Sequence, residues 1–453
     1  MNKKELMDKL AREAQEKGVF TGTWLLAEKG VIVSKGAVGF RDPEDKLPMQ
    51  EDSLFDLASV TKQFTAAAVM LLRKKGLLSL EDEITKFYPE IPYKGVTIRH
   101  LLNHTGGLPD YMDWVGETAK KENTIPGNDI IVRFLCECGE EAEFAPGEEF
   151  SYSNTGYCLT AQIAEKLAGV PFEEFLQKNI FDPAGMTSTR VIHRRKDHLN
   201  VENLAYGLVT DDGKYIFPDD AKDSDNCVVP LDGVNGDGLV HSNIFDLFAW
   251  DRALREENLL TKEEQELMYT SGKLNNGENA GADDEEGAVG YGFGWDIFED
   301  EKFGKIVAHS GGWPGYQTWY ERFLDEDRVY ILLCCRDALD ERGFDSFKAA
   351  MKAVVRGEEP EPIKCLEDFV IKDPDKSGWA DFCGTYKWKS YRIEVSLKDG
   401  DLYGKFTPES GEGFETKMLP IGEKAFGMKE ESGEIVFGEG NLTFYDEVGE
   451  KEN

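Results

Sequence analysis

The sequence predicts an α/β fold followed by a small all-β, barrel-like domain. In the α/β part, one sheet draws its strands from both ends of a long region, and helices pack on it and form a separate lobe. Three observations point to this. Strand-like runs occur early, between Thr21 and Val33, and return only late, at 291–298, 304–309, 316–323 and 328–335, with helical segments between. Residues 356–378 then carry Pro360, Pro362, Pro374 and many charges, the composition of a linker. Beyond them Tyr391, Ile393, Val395 and Leu397 alternate with polar residues, the period of a strand with one buried face. The expected boundaries are 1–355 for the mixed domain, 356–376 for the linker and 377–453 for the β domain.

Taken in order, Leu6, Leu10 and Ala14 recur at helical spacing among charges and predict an N-terminal helix. Thr21 to Val33 reads as two strands around a turn at Glu28-Lys29-Gly30. Residues 59–75 read as a helix, because Phe64, Ala67, Ala68, Leu71 and Leu72 form an apolar stripe and Gly76 supplies the stop. Helices are also expected at 156–168 and 172–179. The stretches 193–236 and 272–290 read as loops, the second a surface loop rich in glycine, asparagine and acid. In the last part, Lys398-Asp399-Gly400-Asp401 turns the chain, and Leu402 to Phe406, Glu434 to Phe437 and Leu442 to Tyr445 read as strands of a barrel or half-barrel.

The 453 residues include 52 lysines and arginines against 87 aspartates and glutamates, a net charge of −35. Such a surface excludes nucleic acid and an anionic membrane as partners, since both require basic patches. Hydrophobic residues at 40% exclude a disordered chain. The N-terminus carries no apolar run of the secretory kind, and no stretch approaches the roughly 18 apolar residues of a membrane span. The eight cysteines include no C-x-x-C pair, so reduced thiols in a cytoplasmic protein are expected. The six histidines show no H-E-x-x-H spacing, and no metal or cofactor is expected.

Three short motifs carry chemistry. In Ser59-Val60-Thr61-Lys62 the lysine lies one helical turn from the serine, where an amine can take the hydroxyl proton, and the helix N-terminus favours an oxyanion. In Tyr152-Ser153-Asn154 a phenol can act as general base beside a lysine, and the asparagine can donate to a substrate carbonyl and accept from Lys62. In His309-Ser310-Gly311-Gly312, at a strand end, the glycines admit a substrate backbone, the Gly312 amide can pair with that of Ser59 as an oxyanion donor, and His309 can orient a hydroxyl or a carboxylate. Alone, each motif also reads as ordinary structure: an N-cap serine with a surface lysine, a buried tyrosine by a turn, a strand ending in glycines. Trp313, Tyr316 and Trp319 fit an apolar pocket or core packing equally well, Tyr206 reads as a surface loop residue or a cover for the cleft, and His104 reads as a loop-shaping residue.

In this order the motifs resemble those of the serine β-lactamase and penicillin-binding-protein superfamily. The resemblance is closest to the class C-like branch of D-aminopeptidases, DD-carboxypeptidases and β-lactamase-like esterases. It extends over about residues 20–350, through LFDLASVTKQFTAAAVMLL, TIRHLLNHTGGLPD, FAPGEEFSYSNTGYCLTAQIAEKLAG, GDGLVHSNIFDLFAWDRAL and AHSGGWPGYQTW. The segment opening at Phe382-Cys383-Gly384-Thr385-Tyr386 resembles the lipocalin-like domains appended to some members. The resemblance implies an antiparallel sheet flanked by helices plus a helical lobe. It also implies Ser59 as nucleophile, Lys62 as its activating partner and Tyr152 as base. Asn154, His309, Ser310, Gly311, Gly312 and Trp313 would then bind substrate. Tyr152 stands where the class A pattern has serine, and His309 where it has lysine. The function implied is an acyl-enzyme serine hydrolase acting on an amide or peptide bond of a small D-amino-acid or peptide-like substrate. Carboxylesterase, β-lactamase and an inactive binding protein of the same fold are the alternatives, acyl transfer in place of hydrolysis is open, and so is a homo-oligomer.

Overall fold

The structure is a computed structural model of the chain, and it describes all residues except 45, 212–213, 222–226, 282–286, 339, 390, 409–412, 429–432, 445–446 and 453. The chain divides into two compact units. One comprises Thr21–Leu208 and Phe217–Arg336; the other comprises Met1–Phe20, Val209–Ile216 and Asp337–Asn453.

The first unit is organised by a seven-stranded sheet in the order 290–291, 296–300, 304–313, 316–323, 328–334, 22–28, 31–38. Every neighbouring pair is antiparallel. The pairing Gly22↔Cys334 joins the early strand to the last, as the strand distribution predicts. The early hairpin turns at Lys29 and Gly30, with φ of 51° and 73°, the left-handed pair that matches strand twist. The strands 22–28 and 328–334 are buried almost throughout, which explains their near-continuous apolar reading.

The helix expected at 59–75 begins as a tight 3₁₀ turn, Ala58–Thr61, and continues as an α-helix, Lys62–Lys74. It is more deeply buried than its stripe suggests: Lys62 to Met70 are buried without interruption, so this helix is core on all sides. Phe64 meets Trp250 and Phe181 at ring-centroid distances of 5.1 and 5.3 Å. The helix expected at 156–168 runs Asn154–Ala168, two residues earlier than the apolar pattern begins, because the Ser153 hydroxyl caps it by accepting from the Gly156 amide at 3.2 Å. The helix expected at 172–179 is Phe172–Leu176, continued by a wider π turn at Gln177–Phe181. The helix Ile244–Arg255 is capped by Asn243 and carries the buried Asp251. That carboxylate binds Arg322 at 2.7 Å and Arg255 at 3.2 Å, and also Arg252.

In the second unit the helix Lys3–Glu16 starts with a reciprocal Asn2–Glu5 capping box and packs on the helix Glu341–Arg356. Nine strands follow in one antiparallel, nearly closed barrel-like sheet, ordered 414–417, 401–408, 391–398, 384–387, 447–451, 441–444, 434–437, 425–427, 419–420. Its interior is filled by side chains, among them Trp379, Tyr386, Ile393, Phe406, Phe426 and Phe437. The strand expected at 442–445 is Asn441–Phe444, and Tyr445 lies outside the described residues. The stretch with linker composition is anchored rather than loose: Ile363 and Leu366 are buried, and the Ile371 amide donates to the Pro420 carbonyl at 2.8 Å. Parts of the two expected loops, 222–226 and 282–286, also lie outside the described residues. Among the described residues no helix is long and apolar enough to cross a membrane.

Burial alone would raise the Asp251 carboxyl, but Arg322, Arg255 and Arg252 more than offset this and hold it below the usual carboxylate range. Replacing it leaves buried guanidinium charge without its counterion. Asp251→Asn is therefore expected to lower the unfolding free energy by about 3–5 kcal/mol, read from urea denaturation at neutral pH.

Candidate active site

Ser59 is held on a turn fixed from three directions. The Asp56 carboxylate accepts from the Ala58 amide at 2.8 Å, the Leu57 amide donates to the Val240 carbonyl at 2.9 Å, and the Thr318 hydroxyl donates to the Leu57 carbonyl at 2.8 Å. Between these ties Ala58 adopts φ = 48°, a left-handed conformation that alanine adopts only under surrounding constraint. The 3₁₀ turn then places Lys62 under Ser59. The Lys62 side chain is wholly buried and its ammonium donates to Ser59 Oγ at 3.0 Å, Asn154 Oδ1 at 2.8 Å and the Asp237 carbonyl at 3.1 Å. All three protons are thus assigned, to neutral acceptors. The Tyr152 and Tyr157 rings lie 4.8 and 5.5 Å from Nζ, and their π faces add to its stabilisation.

Tyr152 is 42% exposed, unlike the lysine beneath it, and its ring lies tilted against that of His104 with centroids 4.3 Å apart. His104 does more than shape a loop. Its backbone has φ = 58°, its Nδ1 accepts from the Ser153 amide at 2.9 Å, and its carbonyl accepts from the Ser151 amide at 3.0 Å. It therefore positions the whole Tyr152–Asn154 segment. Burial, with Lys62 and His309 nearby, holds its imidazole well below the usual range.

The third motif ends the strand Gly304–Trp313, where Gly311 pairs with Thr318 and Gly312 with Gln317. The His309 ring is buried and both its nitrogens are engaged within the protein. Nδ1 lies 2.6 Å from the Ser310 carbonyl, to which it donates, so Nε2 accepts from the Tyr291 hydroxyl at 2.9 Å. Burial, with a contribution from Lys62, pushes the imidazole down to about 3, so it is neutral in solution at any ordinary pH. The two glycines differ. A side chain at Gly311 would overlap the Thr318 hydroxyl and the Leu57 carbonyl, whereas Gly312 faces open space. Ser310 and Gly312 are exposed.

Ser59, Asn154, Gly312 and Trp313 line one cleft of about 420 Å³, together with Tyr111 and Asp237. Past Trp313 the cleft adjoins a more polar pocket walled by Arg195, Asp219, His241 and Tyr206, with Asp56 shared between the two. Trp313 is half-buried at the mouth, whereas Tyr316 and Trp319 are buried; the Tyr316 hydroxyl donates to the Ala205 carbonyl at 2.8 Å. Sequence reasoning missed Tyr111, Asp237 and Tyr291. Only Asp237 left a trace, a carboxylate set between Gly236 and Gly238 in a segment otherwise read for its apolar residues.

Residues 7–353 match the Beta-lactamase family. The chain belongs to that family. It is 36% identical over 439 residues to Penicillin-binding protein 4* of Bacillus subtilis (strain 168), covering 96% of this chain and 94% of that one. The octameric penicillin-binding protein homologue from Pyrococcus abyssi shares the fold over 99% of both chains, with a TM-score of 0.65 at 22% identity. The D-amino acid amidase from Ochrobactrum anthropi SV3, solved with D-phenylalanine, matches 78% of this chain and 98% of its own, with a TM-score of 0.64 at 23% identity. The family is one of serine hydrolases, with penicillin-binding proteins and a D-amino acid amidase among its structural neighbours.

Two outcomes follow from this geometry. Gly311→Ala is expected to destabilise the protein by about 1–3 kcal/mol through overpacking, while Gly312→Ala leaves the melting temperature within a degree or so of wild type. Calorimetry of the two variants checks the contrast. Because free histidine protonates near pH 6.5 and His309 only near 3, the unfolded chain binds the extra proton between those values. Stability therefore falls as pH falls from 6.5, by up to about 1.4 kcal/mol per unit from this residue, and His309→Gln should flatten that slope in denaturation series from pH 7 to 5.

Proposed function

We propose that the protein hydrolyses an amide or peptide bond of a small D-amino-acid or peptide-like substrate through an acyl-enzyme on Ser59. The observation that carries this reading is the buried Lys62 ammonium, hydrogen-bonded to Ser59 and Asn154, both of which line an open cleft. Ser59 Oγ bonds to the carbonyl carbon while its proton passes to the Tyr152 oxygen, acting as a phenolate beside the Lys62 ammonium. The amides of Ser59 and Gly312 receive the oxyanion. The tetrahedral intermediate collapses, the C–N bond breaks, and the leaving amine takes the proton. Water then adds to the ester by the same route in reverse, freeing the acid and restoring the Ser59 hydroxyl. Asn154 keeps Lys62 in register and offers its amide NH₂ to the substrate.

The choice of an amidase over a carboxypeptidase rests on His309. Neutral and bonded to Tyr291 and Ser310, it offers no fixed cation for a terminal carboxylate at the third motif. The fold shared with a D-amino acid amidase supports the same choice. Among the described residues the cysteines form no disulfide, which fits a reducing, cytoplasmic setting. The octameric state named for the Pyrococcus abyssi homologue supports a homo-oligomer, for which light scattering should give a mass several times 50.9 kDa.

The test is intact-mass measurement after fluorophosphonate or penicillin treatment, with a panel of D-amino-acid amides, p-nitrophenyl esters and nitrocefin. One adduct per chain is expected, absent in Ser59→Ala, together with turnover of the amides and a loss of about 10⁶ in rate in that variant. Turnover of esters alone would replace the amidase with an esterase. An unlabelled native protein, or undiminished turnover in Ser59→Ala, would remove the mechanism.

A further inference from the structure

The Asp237 carboxylate has no part in the chemistry above, yet the residue lines the same cleft as Ser59. Only 7% of the residue is exposed. Its Oδ2 accepts from the Tyr111 hydroxyl at 3.0 Å, and that phenol is itself buried and pushed well above its usual range by burial and by Asp237, so it stays a donor. Among the described residues no lysine, arginine or histidine is ion-paired with Asp237. An ionised carboxylate has room for about four hydrogen bonds, and burying it without a cation is costly. The nearest ammonium, Lys62, spends its three donors on Ser59, Asn154 and the Asp237 main chain. Besides Tyr111 the Cys158 thiol adjoins this carboxylate, and no cation among the described residues is paired with it.

Its position narrows what would pair with it. Two hydrogen bonds, of 3.0 and 3.1 Å and both made by Lys62, separate Ser59 Oγ from the Asp237 carbonyl. This sets the residue close to the nucleophile, where it suits a cation carried on the atom next to the attacked carbonyl. The same cleft is also lined by Met112, Leu231, Val234 and Leu239, which suits a short hydrocarbon side chain. We infer that Asp237 receives the protonated α-amino group of the acyl unit, so that the substrate is an aminoacyl amide with a free N-terminus and a small apolar side chain. This rests on the acyl-enzyme reading and adds the specificity that reading leaves open. Asp237 is then a substrate-binding residue, and Tyr111 holds its carboxylate toward the cleft.

The test compares kcat/KM of the full-length enzyme for D-alanine p-nitroanilide, its N-acetyl derivative and propionyl p-nitroanilide, which differ only at the amine. The wild type should prefer the free amine by about 30-fold or more, and the preference should fade above pH ~8 as the amine loses its proton. In Asp237→Asn the ratio should shrink by a similar factor, mainly through KM for the free-amine substrate, and Asp237→Glu should recover part of it. Equal rates of the wild type on all three substrates would overturn the inference, and this needs no variant to fold. So would an Asn variant in which the three rates fall together, since the carboxylate would then serve only to balance the Lys62 charge. Neither result touches the acyl-enzyme reading, which stands or falls on the Ser59 adduct.

Discussion

The Lys62 ammonium is buried in the first unit and satisfied by three segments that are far apart in the chain: its own helical turn, the start of the helix Asn154–Ala168, and the Gly236–Gly238 loop. A charge in that position is tolerated only because each proton has an acceptor and two aromatic faces adjoin it. The requirement runs outward. The Asn154 oxygen stays in place because Ser153 caps its helix and His104 holds the Ser153 amide. The Asp237 carbonyl stays in place because the same residue is gripped through Tyr111. The site is therefore one hydrogen-bonded network in which moving any segment strands a buried polar group.

Strain and close packing make the rest of the geometry. Ala58 is held at positive φ by ties to Asp56, Val240 and Thr318, which turns Ser59 into the cleft. Gly311 lets the strand 304–313 pass against that turn, since a side chain there would overlap Leu57 and Thr318. Asp56 and Asp237 line the cleft, and His309 behind it is neutral. Burial raises the Asp56 carboxyl, though His241 at 3.9 Å and the Ala58 amide work against this.

Much of this was legible in the sequence because it is local. The Ser59–Lys62 spacing is one helical turn, and the strands at 304–309, 316–323 and 328–335 announced themselves by apolar runs. The hairpin at Lys29-Gly30 did so by its turn residues. What was illegible is what packing decides. The helix after Ser59 showed one apolar stripe, yet it is buried on all sides, because alanine and threonine report little of their surroundings. Tyr111 and Asp237 meet across 126 residues of chain, with no pattern in either segment to link them. The bond between His309 and Tyr291 joins residues two strands apart in the sheet, which no local pattern shows. The linker composition at 356–378 was real, but Ile363 and Leu366 still bury themselves, since a few apolar residues suffice to anchor a polar segment.

The central claim is that the Lys62 network delivers Ser59 to an acyl carbon whose amine faces Asp237. A crystal structure of the enzyme trapped with a D-alanine-derived phosphonate tests it most directly. The account predicts a covalent bond from Ser59 Oγ to phosphorus, a phosphonyl oxygen between the amides of Ser59 and Gly312, and the ammonium against Asp237. A phosphonate bonded elsewhere, or one on Ser59 with its oxygen turned to solvent and its amine away from Asp237, would contradict it.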